Sequence, residues 1–320
     1  MEIAAYQNVT LIYNPCAGAL RRKRDAPLRR AMALLEARGY RVQAAPTPGP
    51  GAAGSLARQA IEEGAELILV LGGDGTINET ASGMIGSRIP LGVLPAGTAN
   101  VLARELGLGC NMLEAAARLP ECVPQRIAVG LLRMDGYTRS RHFLLMAGVG
   151  FDGHIVYHLN LELKSRLGQL AYWSGALRQV ARRPEEFEVQ VEERRYRCSF
   201  ALASRARNYA GYLEIARHAS LLGEDFAVVL FEGRSTFRYY ARYLPAVLAG
   251  RLPRTSGITV LRARKLTYTA AGETPIHIQV DGEYAGRLPA SVEIVPDALS
   301  VLAPPDFARV DAMRIARWTR

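Results

Sequence analysis

The stretch LILVLGGDGTINET (67–80) opens with an apolar run that has no polar face, then turns through three glycines around one aspartate before a helical pattern begins. A strand that is apolar on both sides must be covered on both sides, which favours a parallel sheet flanked by helices. The surrounding hundred residues repeat the arrangement. Strands are expected at 9–13, 40–44, 67–71 and 91–94. Helices are expected at 25–38, capped by Asp25 with Pro27 in its first turn, at 55–63, from about Ile77 and from about Asn100. PTPGPGAAG (46–54) reads as the loop between the second strand and the second helix. Strand alternating with helix places this half in the α/β class.

After Pro124 the texture changes to paired strands. Residues 125–134 and 141–148 flank an Asp135-Gly136 turn, a strong hairpin signal. Further extended segments follow at 186–204, 225–232, 258–270, 276–280 and 291–295, broken by helical stretches near 168–182 and 236–249. The second half therefore reads as a β-rich, antiparallel, sandwich-like domain. A chain of 320 residues, 49% hydrophobic, has enough material for two domains of ordinary size.

Forty Lys plus Arg against thirty Asp plus Glu give a net charge of +10, which suits an anionic partner: a nucleotide, a nucleic acid or an acidic membrane surface. Only Lys23, Lys164 and Lys265 are lysines, so guanidinium carries most of that charge. Cys16, Cys110, Cys122 and Cys198 form no CxxC pair, which argues against a zinc site or a disulfide framework and fits a reducing cytosol. The opening MEIAAYQNVTLIYNP lacks the charged and apolar regions of a signal peptide, and no uncharged apolar run reaches spanning length. Any meeting with a membrane is expected from the side.

Three motifs stand at expected strand ends. In GGDG the glycines let backbone approach a ligand, and a phosphate suits a tight turn whose amides face a helix start. Asp74 would repel that phosphate unless it acts through Mg²⁺, directly or through water; the plain alternative is a helix cap. IYNPCAG (12–18) supplies Asn14 as donor and acceptor, Pro15 to stiffen the turn and Gly18 for close approach, and the plain alternative is an ordinary Asn-Pro turn. LGVLPAGTANVLARELGL (91–108) offers Thr98 and Asn100 at a helix start, as Thr76 and Asn78 do after GGDG, and plain capping again competes. Open α/β sheets bind ligands at one edge, so the convergence of the three favours a nucleotide site.

Other features carry less. Gly148-x-Gly150-x-x-Gly153 matches a dinucleotide fingerprint without the βαβ unit that would support it. IQVDGEYAG (278–286) reads first as a hairpin turn, and Glu283 gains a role as general base only beside the phosphates. His154 and His158 have metal-pair spacing but no third ligand, and Arg21-Arg22-Lys23-Arg24 reads as a solvated face open to phosphates or headgroups. The stretch 235–254 suits a membrane interface or, more ordinarily, a core helix. There is no HExxH, Walker A lysine, GxSxG or protein-kinase signature.

Taken in order, LIYNPCAG, LVLGGDGTINE, LGVLPAGTANVLARELGL, GVGFDGHIV, LKSRLGQLAYW and VDGE resemble the bacterial diacylglycerol kinase and lipid kinase family, whose catalytic domain is shared with sphingosine and ceramide kinases. The resemblance implies two domains: an ATP-binding α/β domain at 1–125, joined by the C-terminal segment 298–320, and a β-rich lipid-substrate domain at 126–297, with the active site in the cleft between them. It implies nucleotide contacts by Asn14, Pro15, Cys16, Ala17, Gly18, Thr47, Gly73, Asp74, Gly75, Thr76, Ile77, Asn78, Glu79 and Thr98, with Lys164 and Arg166 as further basic residues near the phosphates. Asp74 would organise Mg²⁺, Glu283 would take the proton of the lipid hydroxyl, and Asp152 would be structural or lipid-facing. Some relatives also bind a structural Mg²⁺ through an acidic turn reading Asp-Asp-Gly. The corresponding stretch here, Leu221-Leu222-Gly223-Glu224-Asp225-Phe226, departs from that pattern, so a second metal is not expected.

The expected activity is ATP- and Mg²⁺-dependent phosphorylation of a membrane lipid hydroxyl, diacylglycerol-like or sphingoid. An NAD kinase and a catalytically silent lipid-binding protein on the same fold are the alternatives. The expected partners are a nucleotide and a lipid at the membrane surface, without nucleic acid; a homodimer is left open. The expected location is cytoplasmic, peripheral at the inner membrane face.

Overall fold

The computed structural model describes residues 6–18, 20, 26–134, 140–150, 184–209, 213–233, 235, 242–249 and 251–316. The chain divides into two compact units: residues 1–128 with 296–313, and residues 129–295 with 314–320. Both have the layer types expected from sequence, a parallel α/β unit and an antiparallel β unit.

In the first unit, strands β1 (Asn8–Tyr13), β2 (Arg41–Pro46), β3 (Leu67–Gly72) and β4 (Leu91–Pro95) lie in the order β2-β1-β3-β4, every pair parallel. All residues of β3 and β4 are buried, as strands covered on both faces must be. Helices α1 (Ala26–Glu36), α2 (Ala53–Glu62), α3 (Asp74–Met84), α4 (Val101–Glu105) and α5 (Met112–Arg118) supply the cover. Leu28, Ala31 and Leu35 of α1 recur at helical spacing and share one core cluster with Val9, Leu11, Leu67, Leu69 and Leu71 of the sheet. Each fully buried Leu there stabilises the fold by about 1.5–3 kcal/mol relative to exposure. Helix α3 begins at Asp74, three residues ahead of the sequence expectation, because Gly73 already has the extended conformation of a cap. The chain re-enters this unit late, where Val301 pairs in parallel with Leu91.

In the second unit, β7 (Met146–Gly150), β10 (Phe200–Ser204), β13 (Phe226–Phe231), β14 (Ile258–Ala263), β16 (His277–Val280) and β17 (Glu283–Arg287) form an antiparallel sheet ordered β14-β13-β10-β7-β16-β17. A second antiparallel set contains β8 (Phe187–Val191), β9 (Arg194–Cys198), β15 (Lys265–Ala270) and the opening residues of β18 (Ala290–Ala303). Phe187, Val189, Leu266 and Val292 from this set pack in one core cluster with Val149, Ala201, Phe226 and Ile278 from the first. The alternation in β8, buried at Phe187, Val189 and Val191 and exposed between, is that of a strand with one face in a core. The strand expected at 125–134 is β5 (Val123–Met134), whose Gly130–Leu132 pair with β6 (Arg141–Phe143), and the short strands β11 (Asn208–Tyr209) and β12 (Leu213–Glu214) pair with each other. The strand expected at 141–148 is instead two, β6 and β7, separated at Leu144–Leu145. The break has a cause: the amides of Leu144, Leu145 and Met146 all donate to the carboxylate of Asp281, at 2.8, 2.9 and 2.9 Å.

Arg205 is fully buried in this unit, just past β10. Its guanidinium donates to the carbonyls of Leu221 and Gly223, the latter at 3.0 Å, and so holds the turn that enters β13. Arg205→Met would leave two carbonyls without their cationic donor, each a loss of about 1–3 kcal/mol. The expected outcome is a clear fall in the thermal unfolding midpoint by calorimetry. Arg205→Lys should restore it only in part, because a single ammonium does not reproduce the fork of a guanidinium.

Candidate functional site

The parallel register brings four strand ends to one edge of the first unit. Tyr13 pairs with Pro46 and with Leu71, and Gly72 pairs with Pro95. The strand order reverses direction between β1 and β3, and open α/β sheets take ligands outside the carboxyl ends at such a reversal. The loops carrying Asn14 to Gly18, Gly73 to Glu79, and Ala96 to Asn100 all emerge here. Thr47, whose amide donates to Tyr13 O at 2.9 Å, emerges beside them after β2.

Asn14 ties the first loop to the second. Its backbone amide donates to Leu71 O at 3.1 Å, its Nδ2 donates to Thr76 Oγ1 at 3.3 Å, and its Oδ1 accepts from Cys16 N at 2.8 Å. The tight turn that results leaves Pro15, Cys16 and Gly18 exposed and buries Ala17. The second and third loops touch backbone to backbone. Ala96 N donates to Gly72 O at 2.9 Å, and a Cβ added at Gly97 would stand 2.5 Å from Gly73 Cα. At Gly97 only glycine permits that approach, whereas a Cβ at Gly73 would stand 3.3 Å from Gly97 Cα.

Asp74 is a cap, but not of the helix it begins. Its Oδ1 accepts from Val101 N at 2.7 Å, the first residue of α4, and so bridges the GGDG and GTAN loops. Enclosure of this carboxylate pushes its pKa above the ordinary value, while the amides of Val101, Leu102 and Asn100 act in the opposite direction. Asn100 adopts a left-handed conformation (φ 49°) and closes on Gly97, accepting from its amide at 2.9 Å and donating to its carbonyl at 3.0 Å. Thr98 lies exposed in the turn thus formed. Along α3, Gly75 and Thr76 are half-buried and Ile77 is buried. Asn78 is buried and accepts from Ser82 Oγ at 3.2 Å. Glu79 accepts from Gly51 N at 2.8 Å and Ala53 N at 3.3 Å, which anchors the loop ahead of α2.

Among the described residues no group of three or more His, Cys, Asp or Glu side chains converges as a metal cage. The enclosed Asp74 carboxylate fits a different arrangement, in which Mg²⁺ takes one protein carboxylate and completes its shell with phosphate oxygens and water. The turn at 221–226 does not fit a metal. Asp225 pairs through both oxygens with Arg262 at 2.7 and 2.8 Å, Glu224 pairs with Arg264, and Arg205 occupies the carbonyls of Leu221 and Gly223. Lys164 and Arg166 lie outside the described residues, as do Arg21 to Asp25, the Asp135-Gly136 turn, Asp152, Gly153, His154, His158 and the stretch 168–182.

Glu283 belongs to the second unit. Asp281 (φ 49°) and Gly282 (φ 79°) form a two-residue turn between the paired residues Val280 and Glu283, so the glutamate is the first residue of β17. Its Oε2 is ion-paired with Arg141 Nη2. Sequence reasoning did not single out Arg141, which sits in no recognisable motif. It also passed over Arg104, whose Nε donates to Ala99 O at 3.1 Å and places a cation against the GTAN loop. The Asp-Gly turn did signal Asp281, but not the three amides it binds.

Two family models cover most of the chain. Residues 8–132 match the diacylglycerol kinase catalytic domain, and residues 146–303 match the YegS C-terminal NAD kinase beta sandwich-like domain. Among curated proteins, the diacylglycerol kinase of Bacillus subtilis (strain 168) is 27% identical over 304 residues, covering 93% of this chain and 97% of that protein. The diacylglycerol kinase of Staphylococcus aureus (strain bovine RF122 / ET3-1) is 26% identical over 302 residues, covering 93% and 92%. The fold is similar to that of a diacylglycerol kinase crystal structure from Bacillus anthracis str. Sterne, with a TM-score of 0.68 at 18% identity, covering 95% of this chain and 99% of that one. A second structure from that organism gives a TM-score of 0.79 at 20% identity, covering 96% and 98%. With both domains matched in this order, the chain belongs to the bacterial diacylglycerol kinase and lipid kinase family.

Proposed function

We propose that this protein is an ATP-dependent lipid kinase that transfers the γ-phosphoryl group to a hydroxyl of a membrane lipid, diacylglycerol-like before sphingoid. The observation that carries the reading is the Gly73–Gly97 backbone contact, with the half-buried Asp74 carboxylate tied across the same two loops to Val101 N, at the edge where four strands end. Such a surface offers amides and one carboxylate, which suits nucleotide phosphates joined to the protein through a cation. Phosphoryl transfer is mostly a matter of positioning and charge neutralisation, so these groups suffice for most of the work.

In this reading the turn of Asn14 to Gly18, together with Thr47, Gly73 to Glu79 and Thr98, receives the nucleotide. Of these, Ile77, Asn78 and Glu79 contribute backbone and support, since their side chains are buried or bound elsewhere in the fold. Asp74 would hold Mg²⁺, which when bound neutralises phosphate charge. Glu283 takes the proton of the acceptor hydroxyl late in its attack, as suits an alcohol of high pKa. Lys164 and Arg166 add positive charge by resemblance. The names of the curated relatives favour diacylglycerol as the acceptor. The domain limits 1–125 with 298–320 and 126–297 belong to the same proposal, as does a place at the inner face of the membrane; no helix of the described residues is long and apolar enough to cross one.

The test is an assay of purified protein with radiolabelled ATP, Mg²⁺ and a panel of diacylglycerol, sphingoid base, ceramide, isoprenoid alcohol and NAD. The expected product is labelled phosphatidic acid. Label in NAD alone would overturn the lipid reading, and transfer to no acceptor would favour a silent lipid-binding protein.

A further inference from the structure

We propose that Arg141 is a positioning residue for the base Glu283, an assignment that rests on the function proposed above. Glutamate at the start of an edge strand, after a turn, has three side-chain torsions to sample, and a base must present one oxygen in one direction. Two features of the second unit remove that freedom. First, the Asp281-Gly282 turn is bolted down: Asp281 accepts from the amides of Leu144, Leu145 and Met146 and donates its own amide to Met146 O at 2.9 Å. The turn that launches Glu283 is therefore fixed to the segment directly after β6. Second, β6 begins with Arg141, whose Nη2 donates to Glu283 Oε2.

The pair divides the carboxylate. Oε2 is occupied, whereas Oε1 makes no hydrogen bond among the described residues. Oε1 is the atom assigned to the proton: as the acceptor oxygen bonds to the γ-phosphorus, its O–H proton passes to Oε1. The bond from the γ-phosphorus to the β,γ-bridging oxygen breaks, and ADP leaves with that electron pair. Arg141 touches none of the reacting atoms and acts by holding Glu283. Stability is a poor explanation for the pair, because its side chains are 34% and 42% exposed and such pairs contribute little to folding.

The experiment is steady-state kinetics of the full chain with ATP, Mg²⁺ and diacylglycerol in mixed micelles, alongside thermal unfolding. Arg141→Met is expected to lower kcat by about 10- to 100-fold, the scale for a misplaced reacting group. Both KM values and the unfolding midpoint should stay near those of the wild type. Arg141→Lys should recover much of the loss, since an ammonium can still bind Oε2. In a Glu283→Gln background, Arg141→Met should cause no further fall, because the two residues act as one unit. A wild-type kcat in Arg141→Met, or a loss that multiplies with that of Glu283→Gln, overturns the positioning role while leaving Glu283 as base. A fully active Glu283→Gln, or a wild-type protein that does not phosphorylate diacylglycerol, overturns the reading beneath it and the role of Arg141 with it.

Discussion

Asp74→Asn is expected to lower ATP-dependent transfer by about 10³-fold while leaving the protein folded. The substitution separates two jobs that the wild-type side chain combines. An asparagine Oδ1 can still accept from Val101 N, the 2.7 Å bond that joins the GGDG loop to the start of α4, so the loop frame survives. What is lost is the negative charge needed to hold a cation against phosphate. Burial already pushes this carboxyl toward its neutral form, and a cation would draw it back to the ionised form. Asp74→Ala removes the cap as well and should cost a further ~1 kcal/mol of stability. Radiolabel transfer and unfolding midpoints, measured on both variants, give the answer: both inactive, with only the alanine variant less stable. Activity within threefold of wild type in Asp74→Asn would reduce the residue to a cap.

The architecture was legible because its determinants are local and periodic. LILVL has no polar face, so it had to be a covered strand, and QVDGEY had to turn where Asp281 and Gly282 do. The strand-end motifs were legible for the same reason, since each follows an apolar run and the parallel register does the rest. What could not be read is the use to which each polar group is put. The plain alternative for Asp74 was a cap of its own helix, and the helix it caps lies 27 residues further on. Asn78 and Asn100 read only as short polar groups at helix starts; both are buried, and Asn100 is consumed by Gly97. The break between β6 and β7 follows from Asp281, more than 130 residues away, and the Arg141–Glu283 pair spans a similar separation. Periodicity cannot report such partners, because they depend on which loops the completed sheets bring side by side. The cation in the 221–226 turn was hidden likewise. Nothing about Arg205 in sequence distinguishes it from the other arginines, and only burial and its carbonyl partners give it a role.

Gly97→Ala adds one methyl group at the contact between the two loops, and both stability and ATP binding are expected to fall. The new Cβ would stand 2.5 Å from Gly73 Cα and 3.0 Å from Asn100 Oδ1. A backbone atom cannot rotate away, so one of the two loops must move, at a cost of about 1–3 kcal/mol. Because Asn100 also binds both polar groups of Gly97, the displacement should spread through the GTAN turn to the Val101 amide that Asp74 holds. ATP affinity, measured by calorimetric titration, is expected to fall by at least about tenfold, since phosphate-binding amides must be placed to within a fraction of an ångström. Gly49→Ala is the matched control: it lies in the loop near Thr47, and a Cβ there would meet nothing within 4 Å. That variant should keep both stability and affinity. A Gly97→Ala protein with a lowered unfolding midpoint but unchanged ATP affinity would show that the two-loop contact supports the fold alone, and the nucleotide would have to be sought at another edge.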